Sequence, residues 1–74
     1  MFSRPCRAIV EHLHKEYPIG ARVRLVRMDD PQAPPVGTLG TVTGVDDIGS
    51  IMVNWDTGGS LHVIYEVDKC EVIQ

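Results

Sequence analysis

The chain has 74 residues, which is enough for one small domain, and a formal net charge of −3 at pH 7. No apolar run approaches the ~18 residues that cross a bilayer. Charged side chains also interrupt the first residues, where a signal peptide would be apolar. We therefore expect a cytoplasmic protein that has no membrane partner.

The charge is unevenly distributed along the chain. Residues 1–28 hold six basic and two acidic side chains, whereas residues 29–74 hold one lysine and eight acidic side chains. Such a dipolar surface can steer a charged partner. Alternatively, the two halves fold against each other and partly neutralise their charges.

Residues 3–17 are predicted to form one α-helix, which Pro18 ends because proline cannot donate the next helical hydrogen bond. An apolar stripe at helical spacing consists of Cys6, Ile9, Val10, Leu13 and Tyr17. We expect the stripe to pack on a sheet, with Tyr17 as the main contact. On the opposite face, Glu11 and Lys15 are predicted to form an i,i+4 ion pair.

Residues 22–28 are predicted to form the first of five strands. Apolar and basic side chains alternate along this segment, so one of its faces is basic. The alternation breaks at residues 26–27, which predicts a β-bulge. A long loop follows over residues 29–38, and its three prolines reduce the entropy of the unfolded loop.

Four further strands are predicted from short β-branched runs between glycine and aspartate turns. Gly44 indicates a bulge that turns Val42 and Val45 inward. Gly49 is expected to supply a positive φ in a turn, and Trp55 is expected to anchor the core. The predicted segments are strands at 40–45, 51–55, around 61–63 and 70–73, with a short helical turn over 65–68.

Five short strands with a long first loop predict a mainly β fold, a five-stranded SH3-like small barrel with the N-terminal α-helix packed on it. We divide the chain into the helix, residues 1–18, and the barrel, residues 19–74, within a single compact domain.

Three segments carry a resemblance to a known family: YPIGARVRLVRMDDP at 17–31, PPVGTLGTVTGVDD at 34–47 and IMVNWDTG at 51–58. Together they resemble small bacterial and phage-borne proteins that are known only as a domain of unknown function. The resemblance implies an SH3-like fold in a bacterial, phage or mobile-element context. It implies no activity.

Five residues are candidates for binding. Arg22, Arg24 and Arg27 form the basic face of the first strand and can bind phosphates or an acidic protein patch. The pI of about 5.4 and the lack of spare aromatic side chains argue against nucleic acid. Solvated charges that discourage edge pairing are the other interpretation. Asp29 and Asp30 are either binding residues of the long loop or turn-forming residues.

Catalytic and metal-binding patterns are missing from the sequence. His12 and His14 are two apart on the predicted helix and point in different directions, and His62 stands alone on a strand. Cys6 and Cys70 are the only cysteines, which we expect to be free thiols. We therefore expect no metal, no cofactor and no enzymatic activity.

These observations favour a small interaction module that binds a protein partner. Two alternatives stay open. One is a nucleic-acid-binding accessory protein that uses the basic first strand. The other is an acidic inhibitor protein that presents Asp46, Asp47 and Asp56 to a basic target.

Overall fold

A computed structural model describes residues 7–65 and 67–74. Helix α1 precedes five antiparallel strands in one sheet, whose order is β4-β3-β2-β1-β5. The elements are α1 (Arg7–Glu16), β1 (Arg22–Arg27), β2 (Leu39–Val45), β3 (Ser50–Trp55), β4 (Val63–Ile64) and β5 (Lys69–Val72). The mainly β class, the five strands and the N-terminal helix are confirmed. The predicted helical residues 3–6 lie outside the described residues.

The sheet is open between β4 and β5, so the predicted closed barrel is not formed by its hydrogen-bonded ladders. In the described chain, β4 pairs with β3 alone and β5 pairs with β1 alone. Strand β4 has only two residues. It ends early because Asp68 takes both backbone groups of Ile64: its carboxylate accepts from Ile64 N at 3.0 Å, and its N–H donates to Ile64 O at 2.8 Å. The chain therefore turns away before a ladder to β5 can form.

Both predicted bulges are present. The β1–β5 register shifts between Leu25 and Arg27, and the β2–β3 register shifts between Val42 and Gly44. The second shift places Val42 and Val45 on the buried side, where they are 1% and 6% exposed. Bulges of this kind bend a strand and increase its twist, which curls the sheet around its core.

The core lies on the concave side of the sheet, and α1 packs over it. Trp55 is buried as expected, and the helix stripe contributes Leu13 directly, with Tyr17 packed against the cluster. On the exposed helix face, Glu11 bonds Arg7 at 3.2 Å. The predicted Glu11–Lys15 pair is not among the ion pairs of the described residues, because Glu11 turns toward Arg7, one turn earlier in the helix.

No helix in residues 7–65 and 67–74 is both long enough and apolar enough to cross a membrane.

Tyr17 joins the end of α1 to the edge strand β5. Its hydroxyl donates to the carbonyl oxygen of Cys70 at 3.4 Å. Burial raises the pKa of Tyr17 from 10.0 to about 12. Burial likewise raises the pKa of the Cys70 thiol from 9.0 to about 11. Both groups therefore hold their protons more tightly in the folded protein than in the unfolded chain.

We expect stability to fall at alkaline pH as a result. An acid whose pKa is raised by folding loses its proton first in the unfolded state, so deprotonation favours unfolding. The loss should begin near pH 9.0, the ordinary value for Cys70, and continue to about 12, the folded value for Tyr17. Urea unfolding followed across this range measures it. Tyr17→Phe should flatten the upper part of the decline, and an unchanged slope in that variant would contradict the assignment.

Candidate functional site

Two of the three candidate arginines are already bound within the protein. Arg22 donates to Thr41 Oγ1 at 2.8 Å and to Asp56 Oδ1 at 2.9 Å, and its second terminal nitrogen donates to the other Asp56 oxygen. This pairing lowers the pKa of Asp56. Arg24 Nε donates to Glu71 at 2.7 Å. The basic first half of the chain is thus met by acidic side chains of the second half.

Arg27 lies apart from the other two arginines. It follows the bulge and stands opposite Lys69 at the end of β1. Its side chain lines a cleft of about 300 Å³ between α1 and the open side of the sheet, together with Glu16 and Asp68. The three arginines therefore do not form one free basic surface.

Asp29 and Asp30 lie on the long loop after β1, whose shape is fixed by local hydrogen bonds. The Asp30 carboxylate accepts from Gln32 N at 2.8 Å, and the Asp30 carbonyl accepts from Ala33 N at 2.9 Å. The turn-forming role considered for Asp30 is therefore present. Asp29 precedes this turn and is exposed.

The loop forms one wall of a groove of about 500 Å³, which we call the acidic groove. Its rim carries Asp29, Asp30, His62 and Asp68. Its apolar lining consists of Met28, Leu61, Ile64 and Val67, of which Val67 is 44% exposed. The groove therefore combines negative charge with apolar surface that is open to solvent.

A second depression, which we call the Trp55 hollow, adjoins the acidic groove. It has a volume of about 350 Å³, and Ser60 and Leu61 line both depressions. The indole N–H of Trp55 donates to Leu61 O at 2.9 Å, which fixes the boundary between them. The remaining lining residues are Gln32, Pro34, Thr57, Gly58 and Gly59.

Sequence reasoning selected Asp29 and Asp30 but missed the wall that faces them. Leu61 is partly buried and packs against the core cluster as well as lining the groove, whereas His62 and Val67 are exposed. Residues 60–62 leave the edge of β3 after the isolated Trp55–Gly59 bridge, which turns them toward the loop. The Gly58-Gly59 pair before them was the one sequence signal of that departure.

Within the described residues, no three His, Cys, Asp or Glu side chains lie close enough together to hold a metal ion. The Cys70 thiol is buried, and its raised pKa keeps it in the weakly nucleophilic thiol form. Cys6 lies outside the described residues. The acidic groove presents carboxylates beside apolar side chains, an arrangement suited to non-covalent contacts.

A family model described as a domain of unknown function, DUF4314, matches residues 6–73. The chain therefore belongs to this family, which confirms the membership in an uncharacterised family that its motifs predicted. No curated protein and no solved structure matches the chain. Family membership supplies no activity, so the function has to be argued from the surface.

Proposed function

We propose that this member of an uncharacterised family is a small non-enzymatic interaction module that binds a protein partner through the acidic groove. The observation that carries the proposal is the apolar lining of a preformed groove, left open to solvent beside the carboxylates of Asp29 and Asp30. Exposed apolar surface rimmed by polar groups is typical of interaction sites. A partner that covers it gains about 25 cal/mol for each Å² of apolar area removed from water.

The hydrogen bonds within the walls of the groove support the same function. The loop wall is held by the bonds of Asp30 to Gln32 and Ala33. The opposite wall is held by the two bonds between Ile64 and Asp68. Because little of either wall has to become ordered on binding, less of the binding free energy is lost on association.

The two alternative functions have less support. A nucleic-acid-binding surface would need Arg22 and Arg24 free to contact phosphates, yet Asp56 and Glu71 bind them. An acidic inhibitor would present Asp46, Asp47 and Asp56 to a basic target. Asp56 is paired with Arg22, which neutralises part of that surface.

We also propose a specific fold type and a biological context for the protein. In the sheet order β4-β3-β2-β1-β5, the first strand pairs with both the second and the last. This arrangement supports an SH3-like fold whose final closure is left open. The resemblance of residues 17–31 supports a bacterial, phage or mobile-element protein that acts in the cytoplasm.

The test compares partner capture by two variants of the full chain in an extract of source cells. Asp29→Asn with Asp30→Asn removes charge from the groove while leaving a side-chain oxygen that can accept from Gln32 N. Asp47→Asn is the control, because Asp47 is exposed and lies outside the groove. We expect recovery of the specific partner to fall about tenfold for the double variant, equivalent to about 1.4 kcal/mol, and to stay unchanged for the control.

Partner recovery that is equal for the wild-type chain, the double variant and the Asp47→Asn control would overturn the acidic groove as the binding surface. Recovery that instead depends on Arg24, with released nucleic acid in the eluate, would support the basic strand.

A further inference from the structure

We infer that the partner presents an extended segment, with a lysine or arginine in the acidic groove and an apolar side chain in the Trp55 hollow. This inference rests on the proposed function and names the chemistry of the partner. Its first support is continuity: Ser60 and Leu61 line both depressions, and loop residues 28–34 contribute to the wall of each. One ligand that runs along the loop therefore meets both depressions.

The two depressions have different chemistry. The acidic groove carries the carboxylates of Asp29, Asp30 and Asp68, which favour a cation over a phosphate or an anionic headgroup. The Trp55 hollow carries no charged side chain among its lining residues. An occupant that matches both needs a positive end and a neutral end.

Apolar side chains form part of the Trp55 hollow. Trp55 itself is only 4% exposed, and its indole N–H is bonded to Leu61 O at 2.9 Å, so it supplies the base of the hollow and no free hydrogen-bond donor. Pro34 adds a second apolar surface from the loop. An aliphatic or aromatic side chain is therefore preferred to a polar one at this position.

Gly58 and Gly59 favour an extended backbone over a helix. They line the hollow without side chains, so the main chain of a ligand can approach closely there. A Cβ placed at Gly59 would meet no atom within 4 Å, which shows that the space beside it is open. An α-helix is about 10 Å wide with its side chains, so its main chain would not approach Gly58 and Gly59 as closely.

The test uses synthetic peptides and amide NMR on the full chain. Each peptide is a flexible Gly/Ser chain with one arginine and one leucine, at separations of about one to five residues that span about 3 to 18 Å when extended. Matched peptides carry arginine alone or leucine alone. We expect one separation to bind about tenfold more tightly than either single-residue peptide, with saturable shifts of both the Asp29 amide and the Trp55 indole N–H.

Two variants of the protein separate the contributions. The double variant with Asp29→Asn and Asp30→Asn should abolish the increase in peptide affinity that arginine provides and keep the increase that leucine provides. Gly59→Leu places a side chain at the rim of the Trp55 hollow, where a Cβ meets no atom within 4 Å, and should do the reverse, whereas Asp47→Asn should change neither. Equal affinity at every separation, or an unmoved indole peak at saturation, would overturn the two-depression inference. Partner capture that still depends on Asp29 and Asp30 in that case would leave the proposed function standing.

Discussion

Trp55→Ala is expected to lower the free energy of unfolding by about 3–5 kcal/mol, the cost of truncating a large buried aromatic side chain. Trp55 is 4% exposed and belongs to the main core cluster. Because small domains have only about 5–15 kcal/mol of stability in total, this single change should remove a large part of it. At about 4–8 °C for each kcal/mol, the melting temperature should fall by at least about 12 °C.

Trp55→Phe separates packing from hydrogen bonding at the same position. Phenylalanine keeps much of the buried area but cannot donate to Leu61 O, the acceptor at 2.9 Å from the indole nitrogen. We therefore expect a smaller loss, about 1–3 kcal/mol, as for one unmade buried hydrogen bond with a small cavity. Urea unfolding followed by circular dichroism measures both variants. A cooperative melt of Trp55→Ala near the wild-type temperature would show that the ring is not a core anchor.

Local features of the fold could be read from the sequence because each depends on a few neighbouring residues. The break at residues 26–27 and the glycine at position 44 both marked real register shifts. Gly49 has a φ of 85°, as its turn required. The closure of the barrel could not be read in this way. It depends on where residues 60–62 leave β3 and on the bonds between Asp68 and Ile64, which the alternation of apolar and polar residues did not reveal.

The surface was harder to predict than the fold, for a similar reason. The alternation of Arg22 and Arg24 correctly placed them on one face of β1. Their partners come from residues 34 and 47 positions away along the chain, and only the strand registers bring them together. The sequence therefore left two interpretations open: a charged surface that steers a partner, or two halves of the chain that neutralise each other. The acidic groove likewise joins two distant segments, and the Gly58-Gly59 pair was the only sequence signal for its second wall.

Gly40→Ala should destabilise the protein although it adds only one methyl group. Gly40 lies in β2 opposite Trp55. A Cβ there would come within 2.5 Å of Val53 Cγ1, 2.8 Å of Trp55 Cε3 and 2.9 Å of the Asn54 carbonyl oxygen. Two of these three atoms belong to buried side chains and the third to the backbone, so none can move aside cheaply. Overpacking of a filled core costs about 1–3 kcal/mol, and at times more.

Gly59→Ala is the matched control, since a Cβ at that position meets no atom within 4 Å. Replacing glycine with alanine restricts the unfolded chain in both variants, which by itself stabilises by about 0.4–1 kcal/mol. Gly59→Ala should therefore raise the free energy of unfolding by about 0.4–1 kcal/mol. The difference between the two variants in urea unfolding then isolates the steric clash. Equal stability of the two would mean that β2 can move away from Trp55, and that the close approach of these strands at Gly40 is not required for the fold.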